Sequence, residues 1–200
     1  MRSAAPLYAS AVKVVFVHHT DTTNDYACSQ SPAIVRSLYA YHVLSRGWND
    51  IGYNFLVDKC GTLFEGRYGG TNRAVVGAQT YGFNTDTTGV AIIGTYTSTK
   101  ASAAALATVA HLAAWKLAAY GISPTATSKL VEGASDSPGF TGGRTYTLAA
   151  ISGHRDGYAT ACPGNDLYTQ LRNGAQGLRC LLYTSPSPRD RTRSRMPSSA

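Results

Sequence analysis

An imidazole and a thiol stand eight positions apart in His154-Arg155-Asp156-Gly157-Tyr158-Ala159-Thr160-Ala161-Cys162-Pro163-Gly164, around a glycine-containing turn. Far upstream, the apolar run Val14-Val15-Phe16-Val17 ends in His18-His19-Thr20. One upstream imidazole, with His154 and Cys162, makes a three-ligand zinc site whose fourth position is left for water or substrate, as catalytic zinc requires. Two neutral nitrogens and a thiolate around zinc bring the pKa of a coordinated water from ~15.7 toward ~7 and polarise a carbonyl, which suits amide hydrolysis. Spacing of this kind occurs in many chains, and isolated histidines more often complete a core than bind metal. What singles out these residues is that both histidine segments fall at strand ends. Structural zinc, and Cys162 as a nucleophile activated by His154, are further readings of the same residues.

The elements that must position these groups follow from periodicity. Val12 to His18 is rich in β-branched residues and predicts a central strand buried on both faces, with its histidines at the carboxyl end. Ser31-Pro32 opens a helix through Arg46, with Ile34, Val35, Leu38, Tyr39, Tyr41, His42 and Leu44 at helical spacing and Gly47 as its stop. Residues 52–57 and 62–65 predict a hairpin around Asp58-Lys59-Cys60-Gly61, and Gly89 to Tyr96 predicts another buried strand. Ser102 to Tyr120 is alanine-rich, with Leu106, Val109, Leu112, Ala113 and Leu117 on one side, and predicts the second long helix. From Ser123 to Thr147, Gly, Ser, Thr and Pro with little periodicity predict a long surface loop. Residues 149–153 read as a short strand that hands His154 to the site, and Asn165 to Gln176 as a final helix. This order argues for a single α/β domain with a central mixed β-sheet flanked by helices and the zinc site at the strand ends.

Bulk properties narrow the alternatives. The 200 residues suffice for one domain with a sizeable core. No apolar run approaches the ~18 residues of a membrane span. The net charge is +7, but Arg189, Arg191, Arg193 and Arg195 against Asp190 place +3 of it in the last twenty residues, leaving +4 for the first 180. That mild excess suits an anionic polymer or a solvated surface equally, and no nucleic-acid-binding motif accompanies it. Cys28 and Cys60 lie at element ends where a bridge can form; an extracellular disulfide is the preferred reading, buried free thiols the alternative in a reducing compartment. Residues 1–11 read as an N-terminal remnant and 12–176 as the domain. Residues 181–200, dominated by Ser, Pro and Arg, read as a disordered tail similar to translated vector sequence.

Read together, Val17-His18-His19-Thr20, Gly47-Trp48-Asn49-Asp50-Ile51-Gly52-Tyr53-Asn54-Phe55, Gly82-Phe83-Asn84 with Gly89-Val90-Ala91-Ile92-Ile93-Gly94, Gly153-His154-Arg155-Asp156 and Ala161-Cys162-Pro163-Gly164 resemble the peptidoglycan recognition proteins and type-2 N-acetylmuramoyl-L-alanine amidases. The resemblance spans about residues 12 to 176 in order, and the chain is most similar to the secreted actinobacterial type. It implies zinc ligands at His18, His154 and Cys162, a supporting role for His19, and catalytic roles for Tyr53, near the water to be activated, and Thr160. It implies hydrolysis of the amide joining the lactyl group of N-acetylmuramic acid to L-alanine, with a non-catalytic peptidoglycan-binding module as the alternative. Peptidoglycan or muropeptides are then the partners of a secreted monomer with no nucleic-acid partner and no membrane span. Trp48, Phe83 and Asn84 are expected to line a groove for sugar and peptide, with His42 on the first helix facing it. One departure stands out: Gly77-Ala78-Gln79-Thr80 occupies the place of a usual Gly-Ala-His-Thr, so an amide that cannot carry a proton replaces a substrate-facing imidazole at Gln79.

Overall fold

The structure, a computed structural model, describes residues 4–133 and 139–172. Five strands form the central sheet in the order β3-β2-β4-β1-β7: β1 is Val14–His19, β2 Phe55–Val57, β3 Leu63–Glu65, β4 Thr87–Ile92 and β7 Ile151–Gly153. β1 runs parallel to both β4 and β7, β2 parallel to β4, and β3 antiparallel to β2, so the sheet is mixed as expected. All six residues of β1 and of β4 are buried, which is why β1 reads as a near-continuous apolar run; β4 opens with the buried Thr87 and Thr88, so the strand expected from Gly89 to Tyr96 lies earlier, at Thr87–Ile92.

Alternation along β1 divides the core. Val15 and Val17 point to the face covered by α2 (Ala103–Ala118) and α3 (Asn165–Arg172), where they pack with Val90, Ile92, Val109, Ala113, Leu117 and Leu167. Val14 and Phe16 point the other way, against Phe83, Leu130 and Leu148. On that second face α1 (Ser31–Ala40) lays Ile34, Val35 and Leu38 against Tyr26, Ile51, Leu56 and Ile93. By the same period of two, His18 belongs to the Phe16 face and His19 to the Val17 face. Ser102 caps α2 by accepting the Ala105 amide hydrogen at 3.1 Å.

Three further expectations needed correction. The stretch expected as a surface loop, 123–147, contains most of an antiparallel hairpin, β5 (Thr127–Val131) with β6 (Thr145–Ala149). Its strands are exposed on one side, occupied by threonines, Lys129 and Val131, and only Leu130, Leu148 and the half-buried Tyr146 carry apolar surface on the other. The single strand expected at 149–153 is two elements, β6 and β7, separated at Ala150, because the chain leaves the hairpin there and joins the central sheet. The helix expected through Arg46 is α-helical only to Ala40 and then widens into a π-helical turn, Tyr41–Ser45, closed by Arg46 N–H donating to Tyr41 O at 3.0 Å. Gly47, at φ 68°, ends it as a left-handed stop.

Near the start of the chain, Tyr8 bridges Val75, and the amides of Ala9 and Val76 donate to Ala74 O and Leu7 O. Part of the segment read as a remnant is thus packed onto the domain. Cys28 and Cys60 are joined in a disulfide that ties the turn before α1 to the β2–β3 turn. No helix among the described residues is long and apolar enough to cross a membrane. The expected tail, 181–200, and the end of the expected last helix, 173–176, lie outside the described residues.

Candidate metal centre and substrate pocket

The carboxyl ends of neighbouring parallel strands β1 and β7 bring the three expected ligands together. β1 ends in His18 and His19, while β7 ends at Gly153 and leads directly into the 3₁₀ turn His154–Asp156. The donor atoms of His18, His154 and Cys162 lie within 4.8 Å of one another. Cys162 Sγ is 3.7 Å from His18 Nδ1, and the two imidazole centroids are 4.4 Å apart. Zn–S and Zn–N bonds of roughly 2.3 and 2.05 Å at a tetrahedral angle require about 3.6 Å between sulfur and nitrogen. The donor set therefore fits zinc.

Arg155 ties the two downstream ligands into one unit. Its backbone N–H donates to Cys162 O at 3.1 Å, its Nη1 to Asn165 Oδ1 at 3.0 Å, and its other guanidinium nitrogen to Ala161 O. The Asp156 carboxylate accepts from Gly153 N–H at 2.9 Å and from Tyr168 O–H at 2.5 Å, fixing the turn that carries His154. The Cys162–Pro163 peptide is cis, and Gly164 follows at φ 91°. Thr160 does not reach into the cluster through any described hydrogen bond: its hydroxyl accepts the Cys162 amide hydrogen at 3.2 Å and so shapes the ligand turn.

Burial sets the protonation of the donors. It holds His18 well below the usual imidazole value, helped by His154, and brings His154 down to about 4. It pushes the Cys162 thiol up to about 12, against a weak hydrogen bond from the His19 amide. Without a metal the site is two neutral imidazoles and a protonated thiol, a poor state for Cys162 as a free nucleophile. His19 is otherwise engaged: its Nδ1 accepts from Tyr96 N–H at 3.2 Å, and its Nε2 faces Asp21 at 3.9 Å.

Tyr53 sits beside this cluster, its ring centroid 5.3 Å from that of His18. Burial raises its phenol pKa, so it is a proton-bearing donor at neutral pH. A pocket of about 320 Å³ opens next to His154 and is lined by Trp48, Ala78, Gln79, Tyr81, Asn84, His154 and Tyr158. Trp48 and Asn84 therefore lie where a groove was expected. His42 does not line this pocket: it is buried under Trp48, stacked at 4.7 Å and 17°, and accepts the Gly52 amide hydrogen. Phe83 is a correction. It is 1% exposed, edge-on to Phe140 and Tyr146 in the core beneath β1, because the neighbouring hairpin covers it.

Gln79 both lines the pocket and touches the metal cluster, with its Oε1 2.8 Å from His18 Nε2. Asn84 holds the loop that carries it by accepting the amide hydrogens of Gln79 and Thr80 at 2.8 and 3.0 Å. Tyr158, stacked on His154 at 5.7 Å and 20°, was not expected as a site residue. Its place four residues after His154, inside the segment running to Cys162, was the available signal. A larger groove of about 800 Å³ lies along α1 and the 20–26 loop, but its lining includes none of the three ligands.

A His₂Cys cluster beside a pocket with an aromatic wall, at the carboxyl edge of a mixed sheet, defines the class: an α/β protein with a candidate His₂Cys metal centre. The N-acetylmuramoyl-L-alanine amidase family matches residues 8–165, and the chain belongs to that family. It is similar to peptidoglycan-recognition protein SC2 of Drosophila simulans, at 29% identity over 166 residues, covering 82% of this chain and 74% of that protein. It is also similar to the N-acetylmuramoyl-L-alanine amidase of Homo sapiens, at 34% over 163 residues, covering 79% of this chain and 23% of that longer protein. The fold matches that of peptidoglycan recognition protein-LE, solved in complex with tracheal cytotoxin, described as monomeric diaminopimelic acid-type peptidoglycan. The TM-score is 0.66 at 28% identity over 87% of each chain.

Proposed function

We propose that this protein is a zinc-dependent amidase that hydrolyses the bond between the lactyl group of N-acetylmuramic acid and L-alanine in peptidoglycan. The observation that carries the reading is the convergence of His18, His154 and Cys162 within 4.8 Å at the edge of a pocket, in a chain of the amidase family. These three residues would hold the metal. When bound, zinc supplies a Lewis acid for the scissile carbonyl and an activated water.

The chain's own groups supply the rest. Tyr53, kept protonated by burial, donates a hydrogen bond to the negative charge that develops on the carbonyl oxygen. Trp48, backed by the buried His42, offers an aromatic face on the pocket wall for a sugar ring, and Asn84 and Tyr81 border the same space. Thr160 contributes by holding the turn that presents Cys162. The protein acts outside the cell on the wall polymer, a location that suits its disulfide. Digestion of purified muropeptides by the zinc-loaded chain tests the reading: mass spectrometry should detect stem peptides with a new free L-alanine amine. Co-sedimentation with cell wall and no new amine would replace it with the binding-module reading.

A further inference from the structure

Gln79 stands where the family resemblance implies an imidazole, and the structure shows it in direct contact with a metal ligand. Its side chain is 6% exposed and has three partners: Oε1 lies 2.8 Å from His18 Nε2 and 2.6 Å from Thr80 Oγ1, and Nε2 lies 2.9 Å from Thr87 Oγ1. An amide can be placed either way round, so the network around it must decide. Thr87 decides it. Its hydroxyl is 2.6 Å from Phe83 O, which only accepts, so its single hydrogen points there. Thr87 Oγ1 is therefore an acceptor toward Gln79, and the Gln79 atom facing it is the NH₂ group. The oxygen then faces His18, and His18 Nε2 must carry the ring proton.

That assignment leaves His18 Nδ1 with its lone pair, and Nδ1 is the nitrogen 3.7 Å from Cys162 Sγ. Neutral imidazole binds a metal only through its unprotonated nitrogen. A reversed amide at Gln79 would place an N–H against Nε2, move the ring proton to Nδ1 and close the ligand position. Space for this arrangement is built into the sheet. Gly89 of β4 lies under Gln79, and a Cβ there would come within 2.8 Å of Gln79 Cβ, closer than side chains pack. A glycine inside a fully buried strand thus serves to let this amide approach.

We propose that Gln79 is a positioning residue whose amide, oriented by Thr87, fixes His18 as the Nε2-protonated tautomer and presents Nδ1 to zinc. This rests on the zinc reading above, and it makes Gln79 a support for the metal ligand in addition to part of the pocket wall. Partners of this kind are typically worth about 10–100-fold in metal affinity.

The test uses the full chain and two readouts. Long-range nitrogen-proton NMR on the metal-free protein, with the His18 signals assigned by their loss in His18→Ala, reports the tautomer. Competition with a chromophoric chelator reports the zinc dissociation constant. Wild type should show the Nε2–H tautomer. Gln79→Leu should lose that preference and weaken zinc by about 10–100-fold. Thr87→Val, which removes the acceptor that orients the amide, should shift both readouts in the same direction, while Gln79→Glu should retain tautomer and affinity. A Nδ1–H wild type, or unchanged tautomer and affinity in Gln79→Leu and Thr87→Val, would overturn the proposal. A wild type that binds no zinc would defeat the metal reading instead, and the tautomer spectra would still decide the role of Gln79.

Discussion

The protonation of the metal-free cluster predicts how zinc binding depends on pH. Burial holds the Cys162 thiol up at about 12, His154 down at about 4, and His18 well below the ordinary imidazole value. Between about pH 5 and 6.5 both imidazoles are already neutral and the thiol is fully protonated, so zinc must displace one proton, that of Cys162. The sign follows directly. Each unit of rising pH makes the thiolate about tenfold more available, so the apparent association constant should rise about tenfold per unit in this window. Above about pH 7, ionisation of a coordinated water adds a second proton and steepens the slope. Calorimetric zinc titrations in buffers of different ionisation enthalpy should read one proton released per zinc at pH 6. Cys162→Ala should bind zinc far more weakly, with no pH dependence over the same range. A wild-type slope near zero would mean that Cys162 is not a ligand and refute the assignment; a slope near two would mean that an imidazole is still protonated and refute the protonation state derived from burial.

Other perturbations separate packing from recognition. Phe83→Ala should destabilise the fold by about 3–5 kcal/mol, because the ring is fully buried, and leave KM for muropeptides unchanged in the remaining folded protein; urea unfolding and steady-state kinetics check the two halves. Trp48→Ala should raise KM roughly tenfold with a smaller change in kcat, since the indole lines the pocket and is stacked on His42, outside the ligand set. Replacing Cys28 and Cys60 by alanine frees a loop of sequence separation 32, for which loop-closure entropy gives about 3.7 kcal/mol of lost stability, measurable as a lower urea midpoint with zinc affinity retained.

The parts of this fold that could be read from the chain are those governed by burial. β1 and β4 are buried throughout, and α2 buries one broad apolar stripe, so composition and period identified all three. The β5–β6 hairpin escaped because its outward positions are mostly polar and solvated and its inward apolar groups are only Leu130, Leu148 and the half-buried Tyr146. His18 and His154 were legible as donors at strand ends, since parallel neighbours such as β1 and β7 bring their carboxyl ends together, and Cys162 as the thiol of the Cys-Pro turn that follows. Phe83 was not separable from a groove residue, because an aromatic beside a turn looks the same whether a hairpin covers it or a ligand does. The contact of Gln79 with His18 depends on a loop folding back over β4. Its only trace in the sequence is Gly89, a gap in a strand that is otherwise β-branched or apolar and opens with two threonines.

The central claim is that His18, His154 and Cys162 hold one zinc ion that muropeptide hydrolysis requires. Chelation followed by stepwise zinc addition measures this most directly, with activity and bound metal followed in the same samples. Activity should vanish on chelation and return linearly until one zinc per chain is bound. Hydrolysis that survives complete removal of metal would contradict the account and return Cys162 to the role of nucleophile.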